Sequence, residues 1–373
     1  MNCPDAMDVK KIEAARKRAL DLIGASEGEC ERAFRLHSES LVCDCFALYN
    51  TLFTREQQEG FLYNMMDSGV NSLAAPVAAG QNLEECIRGF ARIQNIVDAM
   101  RGDLIKVFSS EDILKAKESK RPAIIFEINS PPVTGKLESS KDELEWLEVF
   151  WKLGARVMHL TYNRQNLIGS GCTEKKDNGL SDLGVEVVRK MNQIGIIVDV
   201  PHSSRRTVLD ACEVASKPVL SSHTLCRKLY DHCRGRTDEE IKAIADTGGL
   251  VGILSYSSFL SAGIGDINDM LDHIDHVVEL TGAEHVGIGT DNRYWGLLGA
   301  SSYKKKGDPQ WWANWSPEHR VNDPDCKEET MWGSLAWTNW PCFTVGLVKR
   351  GYSDEDIKKI IGGNYFRLFA ECC

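Results

Sequence analysis

Four apolar segments of this chain each end on a side chain that can bind a metal or move a proton: AIIFE on Glu127, IIVDVPH on His202, PVLSSH on His223 and HVGIGTD on Asp291. Short apolar runs rich in β-branched residues and bounded by Gly, Pro or Ser are what strands buried on both faces look like. A polar residue closing such a strand projects beyond the core, where a parallel barrel keeps its chemistry. A hydrolytic zinc uses three protein ligands and leaves a position for water, whose pKa it lowers to about 7. Glu127, His202 and His223 supply two imidazoles and a carboxylate for that role. Asp291 is then placed to take a proton from water and deliver it to a leaving amine. A single strand-end histidine is more often a core residue than a ligand, but four metal-competent groups on four strand ends reverse that balance. Arg234 and Arg236, in YDHCRGRTDEE, could grip a substrate carboxylate with paired N–H donors; their spacing equally permits salt bridges to Asp238 or Glu239. His159 lies inside its strand and is read as facing the helices, and His273 and His276 share one helical face and are read as structural.

The elements that must hold these groups alternate. Strands are expected over 41–45, 70–76, 123–127, 156–161, 196–201, 218–222, 250–255 and 285–289. Amphipathic helices are expected over 84–100, 142–153, 182–193, 204–214, 238–246 and 267–281, with Gly195, Gly248, Gly249 and Gly282 where helices should stop before a strand. Eightfold strand-helix alternation argues an α/β fold, a (β/α)8 TIM-like barrel. Residues 1–37 read as a helical extension and 38–373 as the barrel, closed by a helix over 354–361 and an amphipathic end over 365–369. One insertion follows the eighth strand, 292–340, and carries Trp295, Trp311, Trp312, Trp315, Trp332, Trp337 and Trp340, leaving only Trp146 and Trp151 elsewhere. It could form a lid, an oligomer contact or a small core of its own.

Composition narrows the function classes. With 43% hydrophobic and 26% charged residues the chain is of ordinary globular type, and no apolar run approaches a membrane span of about 20 residues. A net charge of −10 without a basic stripe argues against nucleic acid as a partner. The 13 cysteines are scattered and odd in number, so reduced thiols are expected. The opening MNCPDAMDVKKIEAARKRAL is charged and helix-patterned, without a signal-like apolar run, so the expected location is cytoplasmic.

Longer stretches carry a family resemblance. NGLSDLGVEVVRKMNQIGIIVDVPHSS, PVLSSH, the TDEEIKAIADTGGLVGI block, HIDHVVELTGAEHVGIGTD and RGYSDEDIKKIIGGNYFRL are together similar to the membrane (renal-type) dipeptidases, metallopeptidases of the amidohydrolase superfamily, over most of 38–369. That resemblance implies that Glu127 bridges two zinc ions, that His202 and His223 complete the second site, that Asp291 is the catalytic carboxylate and that Arg234 meets a substrate carboxylate. It also implies dipeptide-sized substrates and, often, a homodimer.

The chain departs from that family at its first strand. The family carries Asp-Gly-His-x-Asp there, with the His and second Asp binding the first zinc; this chain reads Val42-Cys43-Asp44-Cys45-Phe46-Ala47-Leu48. Aligning Asp44 with the first Asp puts Phe46 and Leu48 on the ligand positions, and sliding by one puts Cys45 and Ala47 there. Either way the first site is degenerate, unless Cys45 or Cys43 lends a thiolate. Tyr162 stands where the family has a histidine that polarises the scissile carbonyl, and Asn292-Arg293-Tyr294 lacks the second acidic residue and glycine that follow the catalytic Asp. Tyr162 and Asn292 are therefore candidate substrate contacts. The expectation is a Zn2+-dependent dipeptidase-like hydrolase with an altered or single-metal site, one ion more readily than two. The rival is a catalytically inactive barrel that binds a ligand or partner.

Overall fold

Alternate residues along the central strands belong to two different apolar layers. Ile125, Val157, Ile197, Leu220 and Leu250 pack together in one, while Ile124, Phe126, Met158, Val198 and Val251 belong to the other, with the helices. Such strands must be covered on both faces, which a parallel barrel does. The computed structural model describes residues 9–48, 54–78, 82–133, 140–292, 329–330 and 332–373. Trp295, Trp311, Trp312 and Trp315 lie outside them, as do most residues of the 292–340 insertion.

The strands are β1 Cys43–Asp44, β2 Ser72–Ala78, β3 Ile105–Lys106, β4 Ala123–Ile128, β5 Ala155–His159, β6 Ile197–Asp199, β7 Leu220–Thr224, β8 Leu250–Ile253 and β9 Val286–Ile288. All named pairings are parallel, in the order β1-β2-β4-β5-β6-β7-β8-β9, with β3 attached to β4. The Cys45 N–H donates to Ile288 O at 2.9 Å and so joins β1 to β9, nearly closing the barrel. The sequence reading had no strand at β3, which at two residues is too short to show a period. It also had no helix at Arg55–Ser68, whose inner face of Phe61, Leu62 and Met65 follows the wholly polar opening REQQE.

Helix ends follow local rules. Ser26 and Glu29 form a capping box, as do Thr237 and Glu240. Gly195 ends the helix Asp182–Ile194 at φ 85°, a left-handed conformation that side chains with a Cβ resist. Gly289 is required for another reason: a Cβ there would lie 1.8 Å from Ser222 O, so this residue sets how tightly β9 and β7 approach beneath the site.

The C-terminal helix Asn364–Cys372 plugs one end of the barrel. Tyr365, Leu368, Phe369 and Cys372 pack into the inner layer with Ile125, Val157 and Ile197. Lys217 donates to Cys372 O at 2.8 Å, and Arg367 donates to Gly248 O at 2.9 Å and Glu284 O at 3.1 Å. Lys217, Gly248 and Glu284 precede β7, β8 and β9, so the plug seals the N-terminal end of the strands and leaves the C-terminal end for chemistry.

The N-terminal helices Val9–Ile23 and Glu27–Glu39 pack on Trp340–Lys349. Arg16 reaches Thr338 O at 3.2 Å, and His37 Nδ1 meets Thr344 Oγ1 at 2.8 Å. Of the tryptophans after β9, Trp337 and Trp340 are core residues, at 1% and 0% exposed. Trp332 lies under the Lys11 ammonium, 5.0 Å from its ring centre.

Candidate active site

The ends of β4, β6 and β7 bring the expected histidines together. His202, three residues past β6, and His223, in β7, present their Nε2 atoms to each other at 3.0 Å. Each Nδ1 is held from behind, His202's by Asn163 Oδ1 at 2.6 Å and His223's by Ser222 Oγ at 2.8 Å. An amide oxygen only accepts, so the proton of His202 sits on Nδ1 and its Nε2 carries a lone pair. Burial, then the positive charge of Arg234, hold both imidazoles well below their ordinary pKa, so both are neutral. Neutral imidazoles with Nε2 converging and Nδ1 hydrogen-bonded are how histidine ligates a metal.

Glu127, in β4, is fully buried, and among the described residues neither carboxylate oxygen makes a well-formed hydrogen bond, the backbone N–H of His159 giving only weak support. Burial, and then the charge of Asp199, push its pKa well above 4.5. Buried carboxyl oxygens left without partners cost about 1–3 kcal/mol each. Two facing imidazole nitrogens and an unsatisfied carboxylate are the donor types that a divalent cation would satisfy, and in that sense the residues fit the metal that the family resemblance implies. Among the described residues, no three or more His, Cys, Asp or Glu side chains stand close enough together to hold a metal ion as they are placed.

Phe46, one of the candidate degenerate positions, lies against the histidines. Its ring stacks on His223 at 4.0 Å between centroids and lies 5.5 Å from His159. Asp44 fixes that turn: its carboxylate accepts from Phe46 N at 3.1 Å, Thr290 N at 3.0 Å, Thr290 Oγ1 at 2.7 Å and Trp337 Nε1 at 2.8 Å. Cys45 points into the inner layer, where a Cβ on Gly287 would lie 3.3 Å from its Sγ, and burial keeps its thiol protonated well above 9. Burial likewise pushes Cys43 up to about 12. Ala47 and Leu48 spend their N–H groups on Ala74 O at 2.9 Å and Asn292 O at 3.0 Å.

Asp291 sits beyond β9 at φ 52°, one of three non-glycine residues with positive φ among the described residues, and its N–H bonds Phe46 O at 2.9 Å. Such conformations concentrate where surrounding structure over-determines the backbone. Tyr162 stacks on His202 at 4.2 Å, and desolvation, then the charge of Asp291, raise its phenol to about 12. Arg234 is 1% exposed; its guanidinium donates to Pro201 O and, at 3.2 Å, to His223 O. Arg236 pairs with Glu240 at 2.7 Å rather than with Asp238 or Glu239, and donates to Ser203 O at 3.0 Å. Glu240 also closes the Thr237 capping box, so Arg236 anchors a helix start. The Asn292 amide donates to Thr330 O at 2.5 Å and Leu335 O at 3.1 Å.

The orientation read for His159 needs correction. It faces the barrel interior, fully buried, with its ring centre 5.7 Å from His202 and 5.4 Å from His223. Its Nε2 lies 3.1 Å from Asp199 Oδ2 and 3.4 Å from Glu127 Oε1. A strand buried on both faces has no polar side to mark, so alternation could not reveal which way His159 points. Three residues near the histidines were absent from the sequence reading: Asp199, Asn163 and Ser222. The single acidic residue interrupting IIVDV was the one available signal for Asp199.

The sequence profile of the membrane dipeptidase family (peptidase family M19) matches residues 18–302. An uncharacterized dipeptidase of Schizosaccharomyces pombe is 35% identical over 152 residues, 39% of this chain and 36% of the relative; the matched stretches span under half the length of the curated relatives. Among solved structures, an amidohydrolase from Pseudomonas aeruginosa superposes with a TM-score of 0.75 at 28% identity, covering 91% of this chain and 98% of that one. A metallo peptidase from Rhodobacter sphaeroides, liganded with a phosphinate mimic of the dipeptide L-Ala-D-Ala, shares the fold with a TM-score of 0.70 at 15% identity, covering 90% of this chain and 100% of that one.

Proposed function

Because the chain belongs to the membrane dipeptidase family, we propose that it is a zinc-dependent hydrolase cleaving the amide bond of a dipeptide or a similarly small amide, through an altered metal site. The observation that carries this reading is the pair of neutral imidazoles, His202 and His223, with Nε2 atoms 3.0 Å apart and each Nδ1 held by a hydrogen bond. With Glu127 they would hold the ion, which would act as a Lewis acid and make a water acidic near neutral pH.

The chain's own groups account for the rest. Asp291, beyond β9, accepts a proton from water and returns it to the departing amine. Tyr162, protonated up to about 12, can donate a hydrogen bond to the oxyanion that develops on the carbonyl. A phenol donates without bringing the charge of an imidazolium, so this step is weaker here than with histidine. The buried Arg234 places positive charge beside the histidines, which favours a substrate bearing a carboxylate.

The test is turnover of a panel of free and N-blocked dipeptides by zinc-loaded protein, with Asp291→Asn and His202→Ala alongside. Activity lost in both variants supports the assignment; rates unchanged in both would overturn it. Two observations favour the second reading, a barrel that binds without catalysis: Phe46 covers His223, and the Arg234 guanidinium bonds backbone carbonyls. Ligand binding without turnover across the panel would select it.

A further inference from the structure

Two thiols that the hydrolytic reading does not use meet beside the stretch that follows β6. Cys172 stands in a turn of the connection after β5 and Cys233 in a turn of the connection after β7; both are free and partly exposed. The two connections converge on residues 201–204. From one side Cys172 N–H donates to His202 O at 2.8 Å, and Ser204 N–H to Ser170 O at 3.0 Å. From the other, the Arg234 guanidinium donates to Pro201 O and that of Arg236 to Ser203 O at 3.0 Å. Held against one stretch of chain in this way, the turns bring their sulfurs together, and the two thiols hydrogen-bond to each other.

The surroundings suit reaction at sulfur. Burial opposes ionisation of Cys172, but the hydrogen bond from Cys233 and the charges of Arg234 and Arg236 outweigh it and hold this thiol below its ordinary value of 9. That same hydrogen bond, and then burial, hold Cys233 well above 9. A partly exposed thiolate with a second thiol in contact is the arrangement in which oxidation ends at a disulfide rather than at higher oxides. Cys43 and Cys45 form the contrast: each is 1% exposed, and burial keeps both protonated.

From these contacts we infer that Cys172 and Cys233 are a redox modification site that closes reversibly to a disulfide, with a peroxide as the oxidant. The Cys172 sulfur, as thiolate, attacks one peroxide oxygen; an S–O bond forms, the O–O bond breaks, and the hydroxide released takes up a proton to become water. The Cys233 sulfur then attacks the Cys172 sulfur; the S–S bond forms, the S–O bond breaks, and the departing oxygen leaves with the Cys233 proton as a second water. The thiols together lose two electrons and hydrogen peroxide gains them. Closing from hydrogen-bond separation to an S–S bond of about 2.05 Å asks movement only of turns outside the sheet. The bond ties the connection that carries Tyr162 and Asn163 to the one that carries Arg234. Cys172 Sγ also lies 3.6 Å from Asn163 Oδ1, the oxygen that holds His202, so the state of this sulfur reaches the histidine pair through one side chain.

The test reduces the full chain with dithiothreitol, titrates it with hydrogen peroxide, blocks remaining thiols with N-ethylmaleimide and identifies tryptic peptides by mass spectrometry. Cleavage after Lys and Arg places the two cysteines on separate peptides, 165–175 and 229–234, each with one cysteine. The expected result is a cross-linked pair of these peptides that forms before any other cysteine is oxidised and is lost when dithiothreitol is restored. Cys233→Ser should instead leave Cys172 as a sulfenic acid that dimedone traps, and Cys172→Ser should leave Cys233 open to alkylation at the same peroxide dose. Recovery of both wild-type peptides singly, alkylated or over-oxidised, at doses that oxidise other cysteines overturns the inference, as does a cross-link that forms only in denaturant. The readout is covalent and needs neither metal nor turnover, so its failure is distinct from failure of the hydrolase reading.

Discussion

Removing the hydrogen bond behind His202 tests the reasoning about the histidine pair without touching a ligand. Asn163 Oδ1 accepts from His202 Nδ1 at 2.6 Å, and no other group among the described residues bonds that nitrogen. Deleting a partner that orients a ligating histidine costs about 10- to 100-fold in metal affinity, which is about 1.4–2.7 kcal/mol. Leaving the buried Nδ1–H unsatisfied should also cost about 1–3 kcal/mol of fold stability. Asn163 sits at φ 52°, so Asn163→Ala adds left-handed strain of about 1–2 kcal/mol whereas Asn163→Gly does not. The glycine variant therefore isolates the lost hydrogen bond, and Asn163→Asp, which keeps an oxygen acceptor, should recover zinc affinity to within about threefold of the wild type. Competition against a chromophoric chelator measures affinity, and denaturant unfolding measures stability. Zinc affinity within about twofold of wild type in a folded Asn163→Gly protein would refute the claim that this bond sets the tautomer of His202.

Three further outcomes are expected. Burial raises Asp44 from 3.8 to about 6 against four hydrogen bonds that oppose the shift. Its folded pKa thus exceeds the unfolded one, so its favourable contribution is complete below about 4 and is lost as pH rises through about 6, roughly 3 kcal/mol in all. The melting temperature of the wild type should fall across that window relative to Asp44→Asn, and parallel pH profiles would contradict this. Tyr162→Phe should lower kcat by about 100-fold with little change in KM, because the phenol acts on the oxyanion rather than on bound substrate; steady-state kinetics decides, and an unchanged kcat removes Tyr162 from the mechanism. Phe46→His returns an imidazole to the position stacked on His223, and zinc affinity measured by competition should rise at least about tenfold; no gain would show that Phe46 does not face the metal-binding groups.

Much of the fold was legible because its signals are local. The apolar runs before Glu127, His202, His223 and Asp291 mark strands, Gly195 marks a helix end, and the Thr237–Glu240 box marks a helix start. The degenerate first strand was equally legible, since no alignment of Val42 to Leu48 restores the His and Asp. β3 escaped because two residues cannot show a period, and the bond from the Trp337 indole to Asp44 escaped because it spans 293 positions of chain.

The order of residues by itself determined which donors lie at strand ends and which ligands the first strand lacks, because side-chain chemistry and strand boundaries are properties of short segments. Only the tertiary structure decided that His159 faces inward beside Asp199 and Glu127, that Asn163 holds His202, and that Arg234 bonds the carbonyls of Pro201 and His223. A strand apolar on both faces carries no alternation to say which way a residue points. That direction is set by the register of neighbouring strands, and only ring closure fixes the register.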